Sequence, residues 1–169
     1  MENWLEAVYR EHAPALYRFL LRLTGNEADT HDVLQEVFVC LARSPQLLEG
    51  VAAPRSYLFR MAHRQVIDRH RREETRRRAV ERAARETSLE MKPEPSVSDA
   101  IWQNKCLATA LQSLPLEQKA VVTLKVWENL TFAEIAHVLD IPANTAASRY
   151  RYALDKLRDA LRPLQEDLP

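Results

Sequence analysis

The sequence predicts an all-α protein: two small helical domains joined by a flexible linker, the C-terminal one carrying a helix-turn-helix. Three observations lead there. Only two glycines, Gly25 and Gly50, occur in 169 residues, while Ala, Leu, Glu and Arg abound, a composition of helix formers with few turn residues. Apolar residues recur at three- and four-residue spacing in the first and last parts of the chain, and that periodicity fades between Glu73 and Pro95. Finally, the stretch Leu130 to Arg158 carries start and stop signals for two short-spaced helices.

Taken in order, Asn3 and Glu6 can cap a first helix with Leu5, Val8 and Tyr9 on its inner face, and Pro14 suggests a break or restart. Leu16, Phe19, Leu20 and Leu23 continue the stripe to Gly25, a C-terminal stop. Asn26 to Asp29 opens a second helix, with Val33, Leu34, Val37, Phe38 and Leu41 inward, which Ser44-Pro45 ends. Gln46 to Pro54 reads as a loop. A long helix then begins at Arg55, with Tyr57, Leu58, Met61, Ala62 and Val66 inward and Arg60, Arg64, Arg71 and Arg72 outward. Residues 1–75 are therefore assigned to one domain and 76–97 to a linker, helical near its start and flexible near Lys92-Pro93-Glu94-Pro95. Residues 98–169 form the second domain. In it, Ile101, Trp102, Leu107, Ala108 and Leu111 precede Leu114-Pro115, and Pro115 can open a helix that buries Ala120, Val121, Leu124 and Trp127.

The helix-turn-helix follows directly. Thr131 and Glu134 stand in capping-box spacing, and Leu130 with Ile135 can form a hydrophobic staple over the same helix start. Asp140-Ile141-Pro142 breaks the helix. A second helix resumes near Ala143, burying Tyr150, Ala153 or Leu154, Leu157 and Leu161, and offers Asn144, Thr145, Ala147, Ser148, Arg151 and Tyr152 on its other face. This is the form of a major-groove reader. It is equally the form of αα-hairpins that never meet DNA, so the hairpin alone does not decide.

Charge adds to it. The chain is formally neutral, 24 basic against 24 acidic residues, but eleven arginines between Arg55 and Arg85 face only Asp68, Glu73, Glu74 and Glu81. Such a block suits phosphates or an acidic protein surface; alternatively it is a solvated arginine-rich helix. Cys40 and Cys106 follow no metal-ligand spacing, and Cys40 reads as a buried small hydrophobe. His12, His31, His63, His70 and His137 show no ligand spacing and read as surface positions. With no Ser/His/Asp set, paired-carboxylate site or glycine-rich phosphate loop, the chain is expected to be no enzyme, with no metal, cofactor or small-molecule substrate. No signal peptide or membrane-length apolar run occurs, so no membrane insertion and a cytoplasmic location are expected.

Four stretches resemble the extracytoplasmic-function (ECF) sigma factors, the small two-domain members of the sigma-70 family of bacterial transcription initiation factors. Asp32-Val33-Leu34-Gln35-Glu36-Val37-Phe38 is similar to the D-x-x-Q-E-V-F signature of region 2.2. Tyr57 to Ala62, continuing through Asp68 to Arg72, resembles regions 2.3 to 2.4. Leu114 to Leu124 resembles region 4.1, and Glu134-Ile135-Ala136 with Ser148-Arg149 and Leu157-Arg158 resembles region 4.2. The chain departs from the pattern at His31, Arg64, Asp140, Pro142 and Tyr152, where Glu, Asn, Gly, Ser and Arg are frequent.

The resemblance implies a set of partners and contacts. Core RNA polymerase would dock on Asp32, Gln35 and Glu36. The −10 promoter element would meet Arg55, Ser56, Arg60, Arg64, Arg69, Arg71 and Arg72, with a flipped base caught by the loop from Leu47 to Ser56. Tyr57 and Phe59 belong rather to the core. The −35 element would be read by Asn144, Thr145, Ala147, Ser148, Arg149 and Arg151. An anti-sigma factor is a further implied partner. Two other readings compete: a stand-alone helix-turn-helix regulator that binds palindromic sites without polymerase, and a helical interaction protein that keeps the shape without initiating transcription. The basic block favours the first reading over the interaction protein.

Overall fold

The computed structural model describes residues 4–83 and 99–166. Among them the order is α1 (Trp4–Thr24), α2 (Glu27–Arg43), a 3-10 turn (Pro45–Leu47), α3 (Pro54–Ala83), α4 (Asp99–Gln112), α5 (Leu116–Val126), α6 (Phe132–Leu139) and α7 (Ala143–Glu166). The architecture is all-α. Asn3 and Lys92 to Pro95, named above as a cap and a linker end, lie outside the described residues.

Pro14 does not break the first helix; α1 runs through it. A proline inside a helix costs about 3 kcal/mol by removing a donor and crowding the preceding turn. Ala13, Leu16, Phe19, Leu20 and Leu23 are all buried on one face, on both sides of Pro14. At roughly 1.5–3 kcal/mol per large buried side chain, that stripe outweighs the proline.

Asn26 caps α2, its side chain accepting a hydrogen bond from the Asp29 amide at 2.8 Å. Thr30, fully buried, donates from its hydroxyl to the Asn26 carbonyl at 2.7 Å, which fixes the α1–α2 corner. Val33, Leu34, Val37, Phe38 and Leu41 then bury one face, leaving Asp32, Gln35 and Glu36 exposed on the other. α3 contributes Leu58, Phe59, Ala62 and Val66 to the same core, with Phe59 edge-on to Phe19 at a 5.1 Å centroid distance. Beyond Val66 α3 fully buries nothing up to Val80, and Arg71, Arg72, Arg76, Arg77 and Arg78 are exposed there.

α5 is buried over six consecutive residues, Lys119 to Leu124. Six residues exceed one helical turn, so every side of α5 is covered. Ala120, Val121 and Leu124 join the core of α1–α3, and Val122 joins a second cluster with Leu111, Leu114, Ala153 and Leu157. α5 and α4 pack on α1, and α6 packs on α3, so the larger core runs unbroken from α1–α3 into α5–α7. Trp127, expected inward, is only half-buried, and in α7 Ala153 takes the inner place while Leu154 is exposed.

The helix-turn-helix is closed locally. Thr131 and Glu134 form a reciprocal capping box, with the Thr131 amide donating to Glu134 Oε2 at 2.7 Å and the Glu134 amide donating to Thr131 Oγ1 at 3.2 Å. Hydrogen bonds from the Thr131 backbone and hydroxyl hold the Glu134 carboxyl below its ordinary pKa. At the other end Asp140 sits in the left-handed region, φ 56° and ψ 50°, and its amide with that of Ile141 closes on the Ala136 carbonyl. This is why glycine suits this position: any other residue brings a Cβ into that geometry, and Asp is among the few that tolerate it. Asp140→Val is expected to lower stability by about 1–2 kcal/mol, while Asp140→Gly stays within about 1 kcal/mol of the parent, in urea unfolding.

Candidate nucleic-acid interface

The start of α7 is held from below by Ala146, which is fully buried and whose amide bonds the Pro142 carbonyl at 3.0 Å. That seat turns Asn144 and Arg151 outward as exposed side chains, with Thr145, Ala147, Ser148 and Arg149 half-exposed between them. The Ser148 hydroxyl donates back to the Thr145 carbonyl at 3.0 Å. The Arg151 guanidinium lies 5.4 Å from the ring of exposed Tyr152. Arg149 is different, since it is tied at 2.7 Å to Glu117 of α5.

Along α3, Arg55 and Ser56 fall in the first turn, the end of the segment expected to catch a base. Arg71 and Arg72 are exposed, Arg64 is exposed, and Arg60 is half-buried. Arg69 reaches back to α2, pairing with Asp29, with Asp32 at 3.2 Å, and with Glu73 at 3.5 Å on its own helix. One expected DNA contact and one expected polymerase contact, Arg69 and Asp32, thus form a single ion-pair cluster. Gln35 and Glu36 line a shallow groove with Arg72 and Gln65. Cys40 lines it too and is half-exposed rather than buried, because α2's apolar stripe passes beside it at Val37 and Leu41.

The two arginine sets meet. Arg60, Arg64 and Arg71 of α3 share one cleft with Arg149 of α7 and the α6–α7 turn at Asp140 and Ile141. His63 lies on this cleft with no hydrogen-bond partner for Nε2, and burial, reinforced by Arg149, lowers its pKa from 6.5 to about 4. It is not the surface histidine that its lack of ligand spacing suggests. It sits beside the apolar stripe of α3, and what covers it comes from the distant α6–α7 turn.

Sequence reasoning also missed Arg22, Gln112, Lys119 and Glu128. Glu128 is buried, its side chain 3% exposed, and pairs at 2.7 Å with Arg55. Lys119 is buried, which lowers its pKa, and donates to Gln112 Oε1 at 2.6 Å. A periodicity argument marks charged positions as outward, so none of these carried a signal. Among the described residues no group of three or more His, Cys, Asp or Glu is placed to hold a metal, and no helix is long and apolar enough to cross a membrane.

A capped helix-turn-helix with a polar, basic outer face, joined to a three-helix unit with an arginine-lined helix, defines a two-part helical DNA reader of the sigma-70 type. Residues 8–77 match the sigma-70 region 2 family model and residues 104–157 the sigma-70 region 4 model. The chain is 33% identical over 161 residues to the ECF RNA polymerase sigma factor SigL of Mycobacterium tuberculosis H37Rv, covering 95% of this chain and 90% of the relative. It is 34% identical over 170 residues to the ECF RNA polymerase sigma factor SigE of Mycolicibacterium smegmatis, covering 95% and 62%. In fold it is similar to the sigma factor RpoE of Bartonella quintana, solved in complex with the anti-sigma factor NepR, with a TM-score of 0.68, 19% identity, and 88% and 91% of the two chains covered. The chain belongs to the ECF RNA polymerase sigma factors.

The half-buried imidazole, with its Nε2 shut off from solvent, gives a pH dependence with a definite sign. His63 is neutral in the folded chain and would take a proton near pH 6.5 when exposed, so its contribution is intact above pH 6.5 and is lost as pH falls toward 4. Between pH 7.5 and 5 this amounts to about 2 kcal/mol. Urea unfolding of the parent should therefore weaken on acidification by that much more than His63→Gln does. Equal pH slopes for the two would show His63 to be solvated.

Proposed function

We propose that this sigma factor carries core RNA polymerase on α2 and promoter DNA on α3 and α7. Residues 1–75 form the region 2 domain, 76–97 the linker and 98–169 the region 4 domain. Asp32, Gln35 and Glu36 meet core polymerase. Arg55, Ser56, Arg60, Arg64, Arg69, Arg71 and Arg72 serve the −10 element, where unstacked bases need a basic groove once the strands part. Asn144, Thr145, Ala147, Ser148, Arg149 and Arg151 read the −35 element, with backbone groups and hydroxyls at the helix start on phosphates and the side chains one turn in at base edges. The observation that carries this is the outward presentation of Asn144 and Arg151 at the start of a helix whose own seat is Ala146 and whose partner helix is closed by a capping box.

The protein is not an enzyme. It lends specificity to a polymerase that does the chemistry, and it works in the cytoplasm where that polymerase is. An anti-sigma factor holds it inactive, a reading supported by the Bartonella quintana sigma factor of like fold, which is bound to one.

In vitro transcription of source DNA with core polymerase, with and without this chain, tests the proposal. New start sites sharing two upstream motifs at fixed spacing are expected. Polymerase-independent binding to palindromic sites, with no new starts, would instead identify a stand-alone regulator. Arg151→Ala should cost about 1–3 kcal/mol at one base position of the −35 motif, read by competition among single-base variants. An equal loss on every sequence would make Arg151 a phosphate contact.

A further inference from the structure

The start of α7 carries two arginines, and the fold holds them in opposite ways. Arg149 is half-buried and ion-paired at 2.7 Å to Glu117, so a carboxylate already takes up guanidinium donors there. Arg151 is exposed, and among the described residues no carboxylate pairs with it. The acid one turn on, Asp155, is directed to Arg158 instead, at 3.4 Å. Order along the helix explains that choice. An acid is better placed when it precedes its base, as Asp155 precedes Arg158, than when it follows, as it follows Arg151.

What Arg151 meets is the ring of Tyr152, with the guanidinium carbon 5.4 Å from the ring centroid, within cation–π range. Tyr152 gives little to the core: it is 55% exposed, while Ala153 and Leu157 on the other side of the helix are buried. The kind of partner decides what Arg151 can still do. A guanidinium is planar, with its N–H donors in the plane and its faces free to stack. A carboxylate engages the donors, whereas an aromatic ring covers a face and leaves the donors directed outward. Those in-plane donors are the groups that pair bidentately with guanine O6 and N7 in the major groove. A guanidinium already resting on a ring also loses less rotamer freedom when it pairs.

We propose that Tyr152 is a positioning residue for base reading: its ring holds the Arg151 guanidinium with the donors free, and so sets a preference for guanine at one position of the −35 element. The proposal rests on the promoter-reading function given above and deepens it, naming the base and the side chain that aims the reader.

The test uses the full chain with core polymerase at subsaturating concentration. The template is a promoter whose start site responds to this chain, with its upstream motif randomised, and transcripts from each sequence are counted. The chains compared are the parent, Arg151→Ala, Tyr152→Ala, Tyr152→Phe and the double alanine variant. Both positions are exposed, so none of these changes empties the core, and far-UV circular dichroism confirms retained helix. The parent should prefer guanine at one position, and Arg151→Ala should flatten that preference. Tyr152→Ala should reduce it about two- to fivefold, the size of an exposed cation–π contact, and leave the other positions unmoved. Tyr152→Phe should keep it, because the ring and not the hydroxyl does the holding. Once Arg151 is alanine, Tyr152→Ala should have no further effect there, which the double-mutant cycle reads directly.

The proposal is overturned if Tyr152→Ala leaves the guanine preference intact or weakens every sequence equally. It is also overturned if Tyr152→Phe behaves like Tyr152→Ala, or if the Tyr152→Ala effect survives without Arg151. A promoter at which Arg151→Ala alters base preference and Tyr152→Ala does not removes this proposal alone. If no start site responds to the parent, promoter reading itself fails and the proposal falls with it.

Discussion

The carboxylate of Glu128 loses its water because Arg55, 73 residues earlier, replaces it. Much of the molecule's arrangement follows from that exchange. With the pair made, the end of α5 can lie against the start of α3, α5 can bury every side, and one apolar core can run through both halves of the chain. Without it, Glu128 would be a buried charge with no counterion, an arrangement that low dielectric makes very unfavourable. The apolar surfaces supply most of the attraction, and the charge pair lets a carboxylate lie among them. Gln112 and Lys119 add further polar contacts, to the last carbonyls of α1.

The same economy of parts appears within the helix-turn-helix. A capping box at one end, a left-handed Asp140 at the other, and a fully buried Ala146 beneath the turn position the start of α7. None of these touches the outward face. They leave that face free to vary in sequence without loss of shape.

Local features were legible in the sequence because they are written in near neighbours. The capping box at Thr131 and Glu134, the Asn26 cap and the inward stripes of α2 and α3 all depend on residues three or four apart. Pro14 misled because a local rule met a stripe of buried side chains extending on both sides of it. His63, Lys119 and Glu128 were illegible for the opposite reason. Each is polar and would be placed outward by periodicity, yet Lys119 and Glu128 are buried and His63 half-buried against parts of the chain far away. The outward arginines of α3 were found from composition, but that Arg69 turns back to Asp29 and Asp32 depends on how α2 and α3 lie together, which no spacing rule encodes.

In the role proposed for it at the −10 element, Arg55 has two anionic suitors, the buried carboxylate of Glu128 and a phosphate backbone, and they respond unequally to ions in solution. Mobile ions screen exposed charges well and buried ones poorly, and Glu128 is nearly without exposure. Contacts with DNA phosphates, by contrast, weaken steeply as salt rises because the counterions they released must be displaced again. Rising ionic strength therefore tilts Arg55 toward Glu128.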